Sequence, residues 1–243
     1  FTYPGAVVPA LSDLNFSIER GESIGIVGRV GSGKSTLLKL CTRLLELNEG
    51  SVELDGVPLD SYALAQLRSQ IAQVLQDPFL FGEPLAANIS YDDPERALDL
   101  IWDAADAAAL RETVLTFPEQ MSTLVGERGV TLSGGQKQRT TLARGLIRNA
   151  PVLILDDCFS AVDTETEEHI LSRLKRLRAG KTTILVSHRV STLRHTDRIL
   201  VLEGGCLMES GSHDALLAKG GLYAELERLQ TQGQRADYEP ELV

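Results

Sequence analysis

The 243-residue sequence holds only three cysteines, Cys41, Cys158 and Cys206, with no Cys-x-x-Cys pair among them. An odd count at that spacing argues against a disulfide framework or a zinc site and favours a reducing, cytosolic compartment. Aromatic residues make up 5% and tryptophan occurs once. No apolar run approaches the ~18 residues that would span a bilayer, and nothing at the start reads as a secretory leader. Basic residues are outnumbered, 24 Lys+Arg against 34 Asp+Glu, for a net charge of -10. That balance speaks against a general nucleic-acid binder, because phosphate contacts need clustered Lys and Arg. The chain opens on Phe1 rather than Met, so it is expected to be a piece of something longer.

Hydrophobic residues reach 43% and charged residues 24%. That is enough apolar material for a proper core, in one large domain or two small ones, and too much for a disordered chain. Leu14, Phe16 and Ile18 alternate with polar neighbours and predict a half-buried strand. Ser23-Ile24-Gly25-Ile26-Val27 predicts a short buried strand. A Gly-rich loop follows, and apolar spacing of three and four predicts a helix over 34–45. Residues 52–54 and 71–75 read as strands. Residues 85–148, rich in Ala and Leu, read as several helices, one of them near 95–108. From Val152 strand and helix alternate again. Strands are predicted at 152–155, 182–186 and 199–202 and helices at 164–177, 212–218 and 222–229, with a hairpin turn at Glu203-Gly204-Gly205. Apolar strand runs separated by helices suggest a buried parallel sheet of α/β type. The polar tail 231–243 is expected to be disordered.

Three segments carry chemistry. Gly28-Arg29-Val30-Gly31-Ser32-Gly33-Lys34-Ser35-Thr36 fits GxxxxGK[ST], between a predicted strand and a predicted helix. Glycines let a backbone wrap a phosphate with its N–H groups pointing inward, and the helix N-terminus adds positive potential. In that pattern Lys34 neutralises β- and γ-phosphates and Ser35 ligates Mg²⁺. Val152-Leu153-Ile154-Leu155-Asp156-Asp157 is an apolar strand ending in two carboxylates. A strand's C-terminal end is where a Mg²⁺-coordinating acid belongs, here Asp156, with Asp157 placed to act on water. Leu132-Ser133-Gly134-Gly135-Gln136 leads into a helix and makes a second anion-cradling N-terminus, although a plain helix cap would use the same residues.

Together these segments resemble the nucleotide-binding domain of ATP-binding-cassette (ABC) transporters, over essentially residues 1–230. LSGGQ at 132–136 is similar to the family signature. The resemblance implies an α/β fold with a RecA-like P-loop NTPase core, an antiparallel β subdomain and a helical signature subdomain at about 85–148. It implies ATP and Mg²⁺ as cofactors. It also gives roles to Tyr3, stacking on adenine; Gln76, on Mg²⁺; Ser133, Gly134, Gly135 and Gln136, closing on a second chain's nucleotide; Ser160–Asp163, a loop crossing the dimer interface; and His188, sensing the γ-phosphate. Thr123-Leu124-Val125-Gly126-Glu127-Arg128-Gly129, with Asp77-Pro78-Phe79-Leu80-Phe81 and Ala87-Asn88-Ile89, is similar to exporter-type members.

One position departs from the family pattern. Asp157 stands where a glutamate is usual, one methylene shorter, and a catalytic group misplaced by about 1 Å can lose on the order of 100-fold in rate. Among exporters such a change often marks the weak site of a heterodimer, although Asp157 serving sluggishly stays an alternative; the run from Asp156 to Asp163 resembles that of some bacterial multidrug-type half-transporters. The implied partners are therefore a second nucleotide-binding domain that carries the glutamate, and transmembrane domains N-terminal in the full-length chain at the cytoplasmic face of the membrane. Two alternatives stay open: a soluble ABC ATPase acting on DNA or the ribosome, and an ATP-binding cassette that only scaffolds a partner.

Overall fold

A computed structural model describes residues 1–126, 129 and 131–232; the expected tail and part of the Thr123–Gly129 segment lie outside the described residues. In chain order the strands are β1 (Ser23–Val27), β2 (Glu53–Leu54), β3 (Val57–Pro58), β4 (Ile71–Val74), β5 (Val152–Asp156), β6 (Thr182–Val186), β7 (Arg198–Glu203) and β8 (Cys206–Gly211). The α-helices are α1 (Lys34–Cys41), α2 (Leu64–Gln70), α3 (Leu85–Ile89), α4 (Leu98–Ala107), α5 (Arg111–Leu115), α6 (Gly134–Ile147), α7 (Thr164–Leu177), α8 (Val190–Leu193), α9 (His213–Lys219) and α10 (Leu222–Thr231). Among the described residues no helix is long and apolar enough to cross a membrane. The chain divides into two bodies, Phe1–Gln70 with the described residues from Thr182 onward, and Ile71–Lys181.

In the first body β1 lies between β6 and β7, parallel to both, and β8 returns antiparallel to β7 through the turn at Gly204-Gly205. The buried stretches of β1 and β7 explain their sequences, Ile24–Val27 and Ile199–Leu202, since a parallel strand covered on both faces needs apolar side chains in succession. Arg198 Nε donates to Glu22 Oε1 (2.7 Å) and ties the entry of β7 to the entry of β1.

Two expectations are corrected here. The segment predicted as a strand at Leu14–Ile18 keeps its alternation, with Leu14, Phe16 and Ile18 half-buried between exposed neighbours, yet it joins no strand among the described residues. Asp13 stands at φ 49°, which interrupts the extended chain, and the Ser17 carbonyl accepts from the Arg198 guanidinium rather than from a strand amide. The helix predicted over 34–45 stops at Cys41. Arg43 turns left-handed (φ 48°), its N–H bonds the Leu40 carbonyl, and the Leu44 N–H bonds the Lys39 carbonyl. That pair of bonds is a Schellman ending with arginine in the place glycine usually fills. The Arg43 guanidinium donates to the Leu59 and Tyr62 carbonyls, 3.0 and 2.9 Å away, which holds the strained residue in place.

In the second body β4 and β5 pair in parallel, with Val74 opposite Leu155. Helix α6 packs so closely on β4 that a Cβ at Gly145 would lie 2.4 Å from Val74 Cγ2. Asp163 caps α7 by accepting from the Thr166 N–H at 2.9 Å.

Candidate active site

The phosphate-loop pattern leaves β1 and enters α1 within the first body. Gly28 has no room for a side chain, because a Cβ there would lie 2.1 Å from the Leu202 carbonyl oxygen. Gly33 sits at φ 98°, and its Cβ would meet Leu11 Cδ2 at 2.5 Å. At these two positions the loop is pressed against its own scaffold, so its backbone is shaped before any ligand arrives. Lys34 is 6% exposed, and its ammonium donates to the Gly28 and Arg29 carbonyls (2.7 and 3.0 Å) and to Ser32 Oγ (3.4 Å). These bonds hold the ammonium inside the loop. Ser35 is exposed and Val30 projects outward, while Arg29 is drawn to Glu225 at 3.1 Å. Tyr3 stands edge-on to Phe1 with ring centroids 4.9 Å apart, and its hydroxyl shares a 3.0 Å hydrogen bond with Thr36 Oγ1. Two residues singled out separately in the sequence thus meet at the first turn of α1.

His188 is half-buried just after β6. Its neighbour Gln230, in the last turn of α10, belongs to no motif. The Gln230 carboxamide donates to the His188 carbonyl and accepts from the Val190 N–H at 2.8 Å, so it brackets the histidine loop.

In the second body the parallel pair β4 and β5 delivers its polar residues at the same end. Gln76, two residues beyond β4, donates from Nε2 to Asp157 Oδ2 at 3.3 Å. Asp157 stands at φ 43°, a left-handed position that aspartate tolerates better than most residues, and Asp156 closes β5 half-buried. Burial first, and then the charge of Asp157, push the neighbouring Cys158 thiol well above its ordinary value. Cys158 is therefore packing, not a nucleophile. Ser133 and Gln136 form a reciprocal capping box at the start of α6: the Gln136 N–H bonds Ser133 Oγ (3.3 Å) and the Ser133 N–H bonds Gln136 Oε1 (2.8 Å). Ser133 and Gly134 are exposed, whereas a Cβ on Gly135 would come within 2.8 Å of the Ala161 carbonyl oxygen.

The segments 77–81 and 87–89 also come together. Asn88 is fully buried; it accepts from the Phe81 N–H and donates to the Phe81 and Glu83 carbonyls. Arg144, which the sequence did not single out, donates to the Asn88 and Phe79 carbonyls and lies over the stacked rings of Phe81 and Tyr91.

The loop and strand ends fit the groups they imply. In the first body Gly28 and Gly33 form a cradle that a Cβ would fill, and Ser35 offers a hydroxyl oxygen; within the second body Gln76 and Asp156 each offer a hard oxygen donor of the kind Mg²⁺ takes beside phosphate and water. Among the described residues no group of three or more His, Cys, Asp or Glu gathers as a metal cage, and Mg²⁺ bound with a nucleotide does not require one.

These elements define a mixed α/β P-loop nucleotide triphosphatase fold. A profile of the ABC transporter family matches residues 11–160. The chain belongs to the ABC transporter family, as a nucleotide-binding domain of the exporter type. It is 46% identical over 237 residues to the ATP-dependent lipid A-core flippase of Burkholderia orbicola, covering 97% of this chain and 40% of that protein. It is 49% identical over 223 residues to the ATP-dependent lipid A-core flippase of Burkholderia pseudomallei, covering 91% and 37%. A solved bacterial Atm1-family ABC exporter with ATP bound superposes with a TM-score of 0.89 at 40% identity, over 91% of this chain and 39% of that one. The chain thus spans about two fifths of the length of these relatives.

Proposed function

We propose that the chain is the ATP-binding and ATP-hydrolysing motor of a membrane exporter, coupling nucleotide-driven dimerisation to movement of a substrate across the membrane. The observation that carries this is the Gly28–Ser35 loop, closed around the buried Lys34 ammonium at the N-terminus of α1. In this reading MgATP supplies the phosphoanhydride, whose terminal phosphoryl group passes to water. Backbone N–H groups of residues 29–35 and the Lys34 ammonium neutralise phosphate charge, and Tyr3 offers its ring face to the base. Ser35, Gln76 and Asp156 hold Mg²⁺. Asp157 orients the attacking water, and His188 senses the γ-phosphate. Residues 1–230 act as one domain, with the signature helix belonging to a subdomain at about 85–148.

The loop Gly28–Thr36 and the signature Ser133–Gln136 serve different nucleotides in a head-to-tail pair. This chain's own site is the weaker one, because Asp157 is a methylene short, and the partner is a different chain that carries glutamate. The transmembrane domains precede this segment in the full-length protein, at the cytoplasmic face of the membrane. Because the relatives are named as lipid A-core flippases, an amphiphilic lipid is the first substrate class to try. Steady-state ATPase of the full-length protein, assembled with its partner chain in lipid, with and without DNA, tests the reading. Turnover that depends on the membrane domains and ignores DNA is expected, whereas stimulation by DNA or no hydrolysis at all contradicts it.

A further inference from the structure

A buried carboxamide just beyond the signature is not part of it. Gln138 lies one turn into α6 and is 4% exposed. Its Nε2 donates to Ser160 Oγ at 2.8 Å, and its Oε1 accepts from the Ala161 N–H at 2.8 Å. The Ala161 amide needs an acceptor, which fixes the orientation of the carboxamide. The loop is pressed close from the other side as well: a Cβ on Gly134 would lie only 3.3 Å from Ala161 Cβ, and one on Gly135 only 2.8 Å from the Ala161 carbonyl oxygen. The gripped loop begins one turn after Asp156 and Asp157 and ends at Asp163, the cap of α7.

We propose that Gln138 is a positioning residue that makes the first turn of α6 and the strand end bearing Asp156 and Asp157 move as one piece. The proposal rests on the ATPase reading above. In that reading the α6 turn serves the partner's nucleotide and the two aspartates serve this chain's own, so one carboxamide links the two sites. Capping of α6 does not require Gln138, because Ser133 and Gln136 already provide it. The helix forms without the grip, but its first turn then loses register with the aspartates.

The test compares wild type with Gln138→Met, Gln138→Glu and Ser160→Ala, each full-length and assembled with its partner chain, in steady-state ATPase, with thermal melting of the same samples. Methionine keeps the length of the side chain and removes both bonds. Glutamate keeps two acceptors, toward which the Ser160 hydroxyl can turn its proton. Gln138→Met is expected to lower kcat about tenfold or more, on the scale that misplacement brings. KM for ATP should stay within about twofold, and Gln138→Glu should recover at least half of wild-type kcat. A purely structural role moves kcat, KM and the melting temperature together without recovery by glutamate, and that result overturns the proposal, as does unchanged kcat in Gln138→Met. If Gln138→Met fails to fold, Ser160→Ala decides: a kcat lowered about threefold at constant KM supports the proposal, and an unchanged kcat overturns it. Absence of ATP turnover in the wild type overturns the ATPase reading itself, and this proposal with it.

Discussion

The Gln76 carboxamide donates to Oδ2 of Asp157 across 3.3 Å, joining the residues that follow two adjacent parallel strands. Asp157 is thus held by a neighbour from β4 as well as by its own strand. If this chain's site is the weaker of two, the carboxylate matters less for turnover than the signature does. Asp157→Asn should leave MgATP affinity near wild type and cost little of the assembled transporter's ATPase. Ser133→Arg removes the α6 cap and places a bulky cation at the helix start, and it should abolish turnover. Steady-state ATPase of the two variants side by side checks this; equal damage from both would make Asp157 a working catalytic acid.

The approach of Gly135 to Ala161 gives a second test. An added methyl would lie 2.8 Å from a backbone oxygen, which cannot rotate away as a side chain can, whereas at Gly134 the nearest atom is a Cβ at 3.3 Å. Gly135→Ala should destabilise the domain by about 1–3 kcal/mol, the usual range for overpacking, and reduce ATPase more than Gly134→Ala. Denaturant unfolding and turnover measured on both variants check the order.

The Glu22–Arg198 pair predicts a pH dependence. The Arg198 hydrogen bond, opposed by partial burial, holds the Glu22 carboxyl below its ordinary value of 4.5. A depressed folded value means that the pair's contribution is whole above the unfolded value and is lost as pH falls through the folded one. At pH 7 Glu22→Gln should therefore cost about 1 kcal/mol, as a charge-assisted but solvent-screened pair would. The difference from wild type should shrink as pH drops below 4.5. Unfolding curves at pH 7 and in the acid range check both the size and the direction.

Much of this was legible from local pattern. Helix α7 occupies the residues its spacing predicted, between the Asp163 cap and Leu177, because cap, period and length agree there. Strands β1 and β6 follow from short apolar runs bounded by turns. The end of α1 was not legible, because the left-handed residue is Arg43, and its anchors, Leu59 and Tyr62, lie 16 and 19 positions away. The alternation at Leu14–Ile18 correctly marked a half-buried extended chain but could not say whether a neighbouring strand would pair with it. The loop glycines and the signature could be read as motifs, whereas Gln138, Gln230 and Arg144 act through distant backbone groups that no local pattern reveals.

The Lys34 ammonium, bound within the Gly28–Ser35 loop at 2.7 Å from the Gly28 carbonyl, is the centre of the proposed nucleotide site. Equilibrium titration of MgATP against wild type and Lys34→Ala measures its part. Saturable binding by the wild type is expected, with affinity weakened about 100-fold or lost in Lys34→Ala, the scale of removing a charged hydrogen-bonding partner from a buried site. Equal affinity in the two proteins would overturn the assignment of the loop to phosphate.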